Sequence, residues 1–171
     1  MRKSFQILGI SILMFSACSE PLDASKVEKE KISLKELNTP IEVFVPKGAK
    51  ASQAAEPEDM LGLFTIYTTK VEAENFAIEV ICTTEEGMIA SEVFKEKSNE
   101  IKSSKEFSKV IEEVENGMLY ESKEINDDLN YSFIKVFSDD ESYTIVVSKP
   151  KSDGNTTLEE AKYMFDIINN K

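Results

Sequence analysis

Two groups of acidic residues form the densest concentration of side chains in this sequence that could bind a ligand. Asp127 and Asp128 are adjacent, and Asp139, Asp140 and Glu141 form a second group. Carboxylate oxygens are ligands that Ca²⁺ prefers, although the ion takes six to eight oxygens. The spacing differs from that of an EF-hand loop, and Asp is common in turns because its side chain hydrogen-bonds the local backbone. We interpret both groups as solvated acidic turns and keep a Ca²⁺ site as the alternative.

The residue types that are missing exclude several classes of enzyme. The chain contains no His, so it has neither a Ser-His-Asp triad, nor a Cys-His pair, nor a His-ligated zinc site. Ser132 and Lys135 match the S-x-x-K pattern, but residues three apart on a strand point to opposite faces of the sheet. We predict a protein that is not an enzyme, with an enzyme that uses only carboxylates as the alternative.

The charge balance argues against a nucleic-acid partner. The chain has 20 Lys and Arg against 32 Asp and Glu, a net charge of −12. Phosphate recognition needs a clustered basic surface, which such a chain does not offer. An acidic surface favours solubility and, where it binds at all, cationic partners.

The N-terminus has the pattern of an export signal. Met1-Arg2-Lys3 is a short basic head, and an apolar run of eleven residues extends from Phe5 to Phe15. A run of this length is too short to span a bilayer as a helix but suits the apolar region of a secretory signal peptide. We therefore expect an exported protein.

The residues after the apolar run are more specific. Phe15-Ser16-Ala17-Cys18 resembles the lipobox of bacterial lipoproteins, with Phe at a position where that family usually has an aliphatic residue. The resemblance implies removal of residues 1–17 and acylation of Cys18, and two or three acyl chains give a stable membrane anchor. An ordinary signal peptide is the alternative. By the same resemblance, Ser19, in place of the Asp that retains proteobacterial lipoproteins in the inner membrane, implies a cell-envelope location with the outer membrane favoured, or the plasma membrane in a Gram-positive cell.

Loss of the signal peptide changes the charge and leaves one free thiol. Removal of Arg2 and Lys3 lowers the net charge from −12 to −14. With Cys18 acylated, Cys82 has no cysteine within the chain with which to form a disulfide. Cys82 shares the apolar face of a predicted strand with Phe76, Ile78 and Val80, which alternate with the residues of the other face, and this predicts a buried, inert thiol.

The rest of the chain divides into a tether and one domain. Residues 18–31 comprise the lipidated Cys and a polar segment with few apolar residues, a composition typical of a flexible tether. Residues 32–171 show no internal repeat and have the usual size of one domain.

Apolar and β-branched runs predict most of the strands. They lie at Ile41 to Pro46, Leu61 to Thr68, Phe76 to Thr83, Tyr131 to Phe137 and Tyr143 to Ser148, whereas Ala49 to Met60 is expected to form a loop. Residues 107–120 fit either a helix or a hairpin turning at Asn116-Gly117, and we favour the hairpin.

Two helices are expected on the sheet. A capping box at Thr83 and Glu86 predicts a helix from about Thr84 to Ser103. A second capping box, at Thr157 and Glu160, opens a C-terminal helix whose buried face is formed by Leu158, Ala161, Met164, Phe165 and Ile168.

These elements predict an α+β fold, an antiparallel sheet of about six to seven strands with one mid-chain helix and one C-terminal helix packed on it. The order of elements from Ile41 to Asn170 and the terminal segment TTLEEAKYMFDII resemble a PsbP-like domain. That resemblance implies an accessory or binding role and transfers no site residue.

The function predicted from these observations is that of a lipid-anchored accessory or protein-binding module. Its partners would be the membrane, through the acyl chains on Cys18, and another envelope protein. The candidate residues for the protein-binding surface are Phe44, Tyr67, Tyr120 and Tyr131. A calcium or small-molecule binding lipoprotein is the alternative, and no other cofactor is expected.

Overall fold

The computed structural model describes residues 21–123, 128–149 and 154–170. Ten strands and two α-helices lie within these ranges, together with two short 3-10 helices at Ala24–Lys26 and Lys35–Leu37. The strands are β1 Lys29–Ser33, β2 Glu42–Pro46, β3 Lys50–Gln53, β4 Glu58–Asp59, β5 Thr65–Ala73, β6 Phe76–Thr83, β7 Phe107–Val114, β8 Gly117–Lys123, β9 Leu129–Ser138 and β10 Tyr143–Ser148; the helices are α1 Ala90–Ser103 and α2 Leu158–Ile168.

Eight of these strands form one antiparallel sheet in the order β3-β5-β6-β10-β9-β8-β7, with the short β4 also paired to β5. The pairing of β6 with β10, in which Ile81 lies opposite Ile145, joins the two halves of the chain. Strands β1 and β2 form a separate two-stranded ribbon. The predicted α+β class and the two helices are confirmed, with eight strands in the sheet where six to seven were expected.

One face of the sheet carries the larger core. Along β6 every second side chain is buried, which places Phe76, Ile78 and Val80 against α2 and the β1–β2 ribbon. The rings of Phe133 and Phe165 are 5.6 Å apart at their centroids, within the range of favourable aromatic pairs. Ala161, Tyr163, Met164, Ile167 and Ile168 of α2 are also buried on this side. This face is covered except near Tyr67, Tyr131 and Phe137, which are half-buried.

The other face is only partly covered. Helix α1 packs on β9 and β7, where Val93 of the helix joins a smaller core with Met118, Ile134 and Val136. On this face of β6, Ala77, Glu79 and Ile81 are half-buried and Thr83 is buried, while Tyr143, Ile145 and Val147 of β10 pack against the smaller core. The part of this face formed by β5 and the start of β6 therefore stays partly accessible to solvent.

The predicted loop at Ala49 to Met60 contains β3 and β4. All residues of these two strands are exposed. Both strands pair with β5 through backbone hydrogen bonds, with Lys50 opposite Glu72 and Glu58 opposite Ile66. A strand at a sheet edge needs no apolar alternation, so the prediction of a loop was wrong.

The predicted start of the first helix was also wrong. Thr83 is the last residue of β6, where it lies opposite Ile66 and Tyr143, so it does not cap a helix. Helix α1 begins at Ala90, after Ile89, which provides no side-chain cap. The Ala90 amide instead donates to Ser138 Oγ at the end of β9 (2.9 Å). A tertiary contact here replaces the local cap that the sequence suggested.

The prediction that residues 18–31 form a tether fails from Pro21 onward. Ala24 is buried against α2, and Lys29 to Ser33 pair with β2. The Leu22 amide donates to Glu159 Oε1 of α2 (2.5 Å). Few apolar side chains are needed here, because the segment adds to a core that other elements have already built. The folded domain thus begins before Ile32.

The hairpin and the second capping box are confirmed. Residues 107–120 form the β7–β8 hairpin, but its turn is Glu115-Asn116 and not Asn116-Gly117, because Gly117 pairs with Val114 as the first residue of β8. Asn116 has a φ of 50° in this turn. Thr157 and Glu160 form a reciprocal capping box at the start of α2. Leu158, expected on the buried face of α2, is instead 38% exposed because it lies at the first position of the helix.

Candidate functional site

The β4–β5 hairpin has the most exposed apolar side chains in the described ranges. The exposed fractions are 96% for Leu61, 79% for Leu63 and 43% for Met60. Folding therefore gains almost nothing from burying Leu61 or Leu63. Three such residues side by side at the tip of a hairpin form an apolar projection.

The turn of this hairpin is tightly bonded. The Leu63 amide donates to the Met60 carbonyl (3.1 Å), and the Met60 amide donates to the Phe64 carbonyl (2.9 Å). The Gly62 amide donates to Asp59 Oδ1 (2.7 Å). The φ angle is 59° at Leu61 and 72° at Gly62. Both central residues of the turn therefore have positive φ, as in a type I′ hairpin turn. Asn or Gly is usual at the position of Leu61, where a branched apolar residue is strained.

Two other loops contact each other or the hairpin at the same end of the sheet. The Thr65 amide donates to Thr84 Oγ1 (2.9 Å), which connects the hairpin to the segment between β6 and α1. The Gly87 amide approaches the Asp140 carbonyl of the β9–β10 turn (3.5 Å). We call this surface the distal rim and define it as residues 59–64, 84–89 and 139–141.

The distal rim has an uneven charge. It contains no Lys or Arg and six acidic residues, which are Asp59, Glu85, Glu86, Asp139, Asp140 and Glu141. All except Glu85 are exposed. Ile89 adds another apolar side chain to the rim, 51% exposed. The rim thus combines apolar projections with negative charge.

A cleft of about 520 Å³ opens beside the distal rim. Its two acidic lining residues, Glu86 and Glu141, belong to the rim, and Tyr67 also lines the cleft. Among the described residues that line this cleft, Lys35 is the one cation, and the other members are Asn38, Pro40, Thr84 and Ser142. The cleft therefore presents carboxylates and an aromatic ring to a ligand.

The opposite end of the sheet is different. We call it the proximal end, where β5 meets β6 at Glu74 and Asn75 beside Pro21 and Leu22. A cleft of about 690 Å³ lies there, lined by both acids and lysines. Charges of both signs continue along this end, with Lys105, Glu106, Lys123, Asp128 and Lys149.

The predicted Ca²⁺ ligands do not come together. Asp128 precedes β9 and Asp139 follows it, so a ten-residue strand of roughly 30 Å separates the two groups. Asp139 Oδ1 accepts hydrogen bonds from the Glu141 amide, the Ser142 amide and Ser142 Oγ, at 2.8 to 3.0 Å. Within the described residues no three acidic or cysteine side chains converge as a metal site would require. Asp127 lies outside those residues.

The four predicted partner residues lie at separate places. Phe44 belongs to the β1–β2 ribbon, Tyr67 and Tyr131 lie on the face covered by α2, and Tyr120 lies on the face covered by α1. All four are half-buried. The structure brings only Tyr67 to the candidate site, as a lining residue of the cleft beside the distal rim.

Tyr131 takes part in a polar cluster around the buried Glu121 on β7, β8 and β9. Its hydroxyl donates to Glu121 Oε2 (3.0 Å), and Ser108 Oγ donates to Glu121 Oε1 (2.7 Å). Lys109 Nζ lies 3.3 Å from the same carboxylate. The hydrogen bond from Ser108 is the largest of the contacts that lower the pKa of Glu121, and the bond to Glu121 raises the pKa of Tyr131. Burial raises the pKa of Tyr120.

Of the two cysteines for which the sequence made predictions, the structure describes one. Cys82 is fully buried, as expected, and burial raises the pKa of its thiol. A thiol in this state is a poor nucleophile at neutral pH. Cys18, the predicted lipidation site, lies outside the described residues. In the part of the chain that the structure describes, no helix has the length and apolarity needed to cross a membrane.

Sequence reasoning missed the apolar hairpin tip. The residues Asp59-Met60-Leu61-Gly62-Leu63-Phe64 looked like the start of a strand, because apolar side chains surround a single Gly. The signal that could have revealed the tip is the Leu-Gly pair, which occupies the place of the Asn-Gly or Asp-Gly pair of a tight hairpin.

Comparison of this chain with protein-family models, with curated proteins and with solved structures gives no match. The lipobox and the PsbP-like resemblance therefore stay predictions from the sequence.

Proposed function

We propose that the chain is a lipid-anchored protein of the cell envelope whose domain binds another envelope protein and catalyses no reaction. The observation that carries the proposal is the hairpin tip, where Leu61 is 96% exposed in a strained conformation. Neither the exposure nor the strain stabilises the fold. A strained, exposed apolar residue on a rigid turn is typical of a residue retained for binding.

The proposed anchor would hold the domain close to the membrane. Two residues, Ser19 and Glu20, separate Cys18 from Pro21, so the acylated residue is at most about 10 Å from the first described residue. Leu22 is in turn bonded to α2. The proximal end would then face the lipid surface, in the outer membrane on the expectation from Ser19. The proposal needs no cofactor besides the acyl chains.

Site-specific photo-crosslinking in intact cells tests this function. A photoreactive residue at Leu63 is expected to capture one envelope protein, whereas the same residue at the exposed Glu74 of the proximal end is not. Cys18→Ser, which removes the acylation site, should release the chain from the membrane fraction and reduce the adduct. The captured protein must then bind the purified chain directly. A chain that stays in the membrane without any adduct at Leu63 contradicts the binding role and leaves the anchor intact.

A further inference from the structure

We propose that the distal rim and the cleft beside it bind a basic, amphipathic segment of the partner protein. Apolar side chains of that segment would lie on Met60, Leu61 and Leu63, and its Lys or Arg residues would face the acidic residues of the rim. This inference rests on the proposed function and deepens it by giving the site and the chemistry of the partner.

The apolar side of the site is the hairpin tip. Ile66 follows the hairpin on the α1 side of the sheet, but it lies opposite the buried Thr83, and Ile145 of the next row packs against the smaller core under α1. Tyr67 of the cleft lies on the other face of the sheet. A segment that occupies the cleft therefore makes its apolar contacts with Met60, Leu61 and Leu63.

The charge of the rim determines which charged residues the partner segment can carry beside its apolar ones. Six acidic residues and no cation lie within the rim. A segment with acidic residues beside its apolar ones would be repelled, whereas Lys or Arg would pair with the rim carboxylates. The charges also raise the rate of encounter with a cationic partner.

The cleft offers a place for one basic side chain. Glu86 and Glu141 bring carboxylates to its lining, and Tyr67 brings an aromatic ring. A Lys ammonium or Arg guanidinium is attracted both to carboxylates and to the face of an aromatic ring. The two carboxylates outnumber Lys35, so the lining residues carry a net negative charge. Tyr67 acts here as part of the partner surface.

The location of the rim argues for a protein partner over the anchoring bilayer or a second copy. Strand β5 has nine residues, so the rim is roughly 30 Å from the proximal end. A lipid surface with anionic head groups would repel the rim, and two acidic rims would repel each other. A basic protein segment meets neither obstacle.

Binding of two synthetic peptides to the mature chain carrying Cys18→Ser tests the inference. Both peptides have Leu at the same positions along one helix face, and their polar positions carry Lys in one peptide and Glu in the other. We expect the Lys peptide to bind at least about tenfold more tightly than the Glu peptide, with binding that weakens as salt rises. Amide shifts in NMR spectra should be largest in the distal rim.

Matched variants distinguish binding at the distal rim from non-specific electrostatic attraction to the acidic chain. Glu86→Gln with Asp140→Asn and Glu141→Gln removes three charges from the rim, and we expect about tenfold weaker binding of the Lys peptide. Glu74→Gln with Glu106→Gln and Asp128→Asn removes three exposed charges from the proximal end and should change binding less than about twofold.

The apolar contact is tested in the same way. Leu61→Asn with Leu63→Ser should weaken binding of the Lys peptide about tenfold, whereas Leu129→Thr, which changes an exposed Leu at the proximal end, should not. Tyr67→Leu should weaken binding by removing the ring from the cleft.

Several outcomes would overturn the inference without touching the proposed function. Equal binding of the two peptides, no binding of either, or equal losses in the two charge variants would each show that the rim does not select a basic segment. Binding to phosphatidylcholine and phosphatidylglycerol vesicles that Leu61→Asn with Leu63→Ser abolishes would assign the tip to a lipid surface. Self-association lost in the same variant would assign it to a second copy. The crosslink at Leu63 tests the proposed function separately, because it needs no assumption about the partner's charge.

Discussion

The β4–β5 and β7–β8 hairpins reverse the chain at the same end of the sheet, but their turns contain residues of opposite character. Asn116 has a φ of 50° in one turn and Leu61 has a φ of 59° in the other. Asn tolerates that conformation because its short polar side chain bonds locally, whereas Leu is strained in it. The Asn116 turn has a residue suited to positive φ at its left-handed position, whereas the Leu61 turn has Leu there, at a point where the fold gains nothing from burying the side chain. This departure is the basis of the binding role proposed for the Leu61 turn.

Gly62 within the Leu61 turn and Gly117 directly after the Asn116 turn differ in what surrounds them, which gives the largest expected effect on stability. A Cβ added to Gly117 would lie 2.9 Å from Lys135 Cδ and 3.0 Å from the Ile134 carbonyl oxygen. The backbone atom cannot move aside without distorting the pairing of β8 with β9. We expect Gly117→Val to destabilise the domain by roughly 2–3 kcal/mol, measured by urea unfolding.

Gly62→Val is the matched control in the other hairpin. No atom lies within 4 Å of its added Cβ, so its cost comes only from the positive φ of 72°. That cost is about 1–2 kcal/mol. A loss at Gly62 equal to or greater than the loss at Gly117 would contradict the difference in packing between the two hairpins.

Exchanging the two turn residues should change stability in opposite directions. Leu61→Asn relieves the strain at a position where the Leu side chain buries almost nothing, so we expect a gain of about 1 kcal/mol. Asn116→Leu introduces the same strain and should lose about 1 kcal/mol. Thermal and urea unfolding of both variants measure these changes.

The binding measurement completes this exchange. Leu61→Asn should bind the Lys peptide more weakly although it is more stable, and Asn116→Leu should bind it as the unaltered chain does. A gain in both stability and binding for Leu61→Asn would show that Leu61 has no role in binding.

The hairpins also differ in buried charge, which predicts a pH dependence. Glu121 of β8 is largely buried, and its contacts with Ser108, Tyr131 and Lys109 lower its pKa. The ionised form therefore stabilises the fold fully above the ordinary Glu value of about 4.3, and the contribution is lost as pH falls through the lowered pKa. Glu121→Gln should flatten the loss of stability below about pH 4.3.

The elements that the sequence predicted well are those whose own residues determine them. The alternation of Phe76, Ile78, Val80 and Cys82 predicted β6 with the bounds that the structure gives it. The Thr157 and Glu160 pair predicted the start of α2, because a capping box is a local arrangement of four residues.

The elements that were missed depend on contacts with distant residues. Strand β3 is polar and exists because β5 offers an unpaired edge, and the segment from Pro21 is ordered because α2 and β2 bind it. Helix α1 begins at Ala90 because Ser138 accepts the first amide bond. For the same reason the distal rim was not predicted, since three loops distant in sequence form it.

Thiol chemistry on the sheet between the two hairpins gives the smallest expected effect. Cys82 of β6 is fully buried opposite Tyr67 and Thr144, and burial raises its pKa. The unfolded thiol ionises near pH 8.5, so the unfolded state loses its proton first and the free energy of unfolding should decline slightly as pH rises above that value.

Ellman's reagent should react with native Cys82 far more slowly than with the chain in urea, at a rate that reflects opening of the strand. Leu61→Asn should slow this reaction up to about fivefold if opening begins at the β4–β5 hairpin, in line with its gain of about 1 kcal/mol. Rapid native labelling that is insensitive to Leu61→Asn would show that the β5–β6 part of the sheet opens independently of the hairpin.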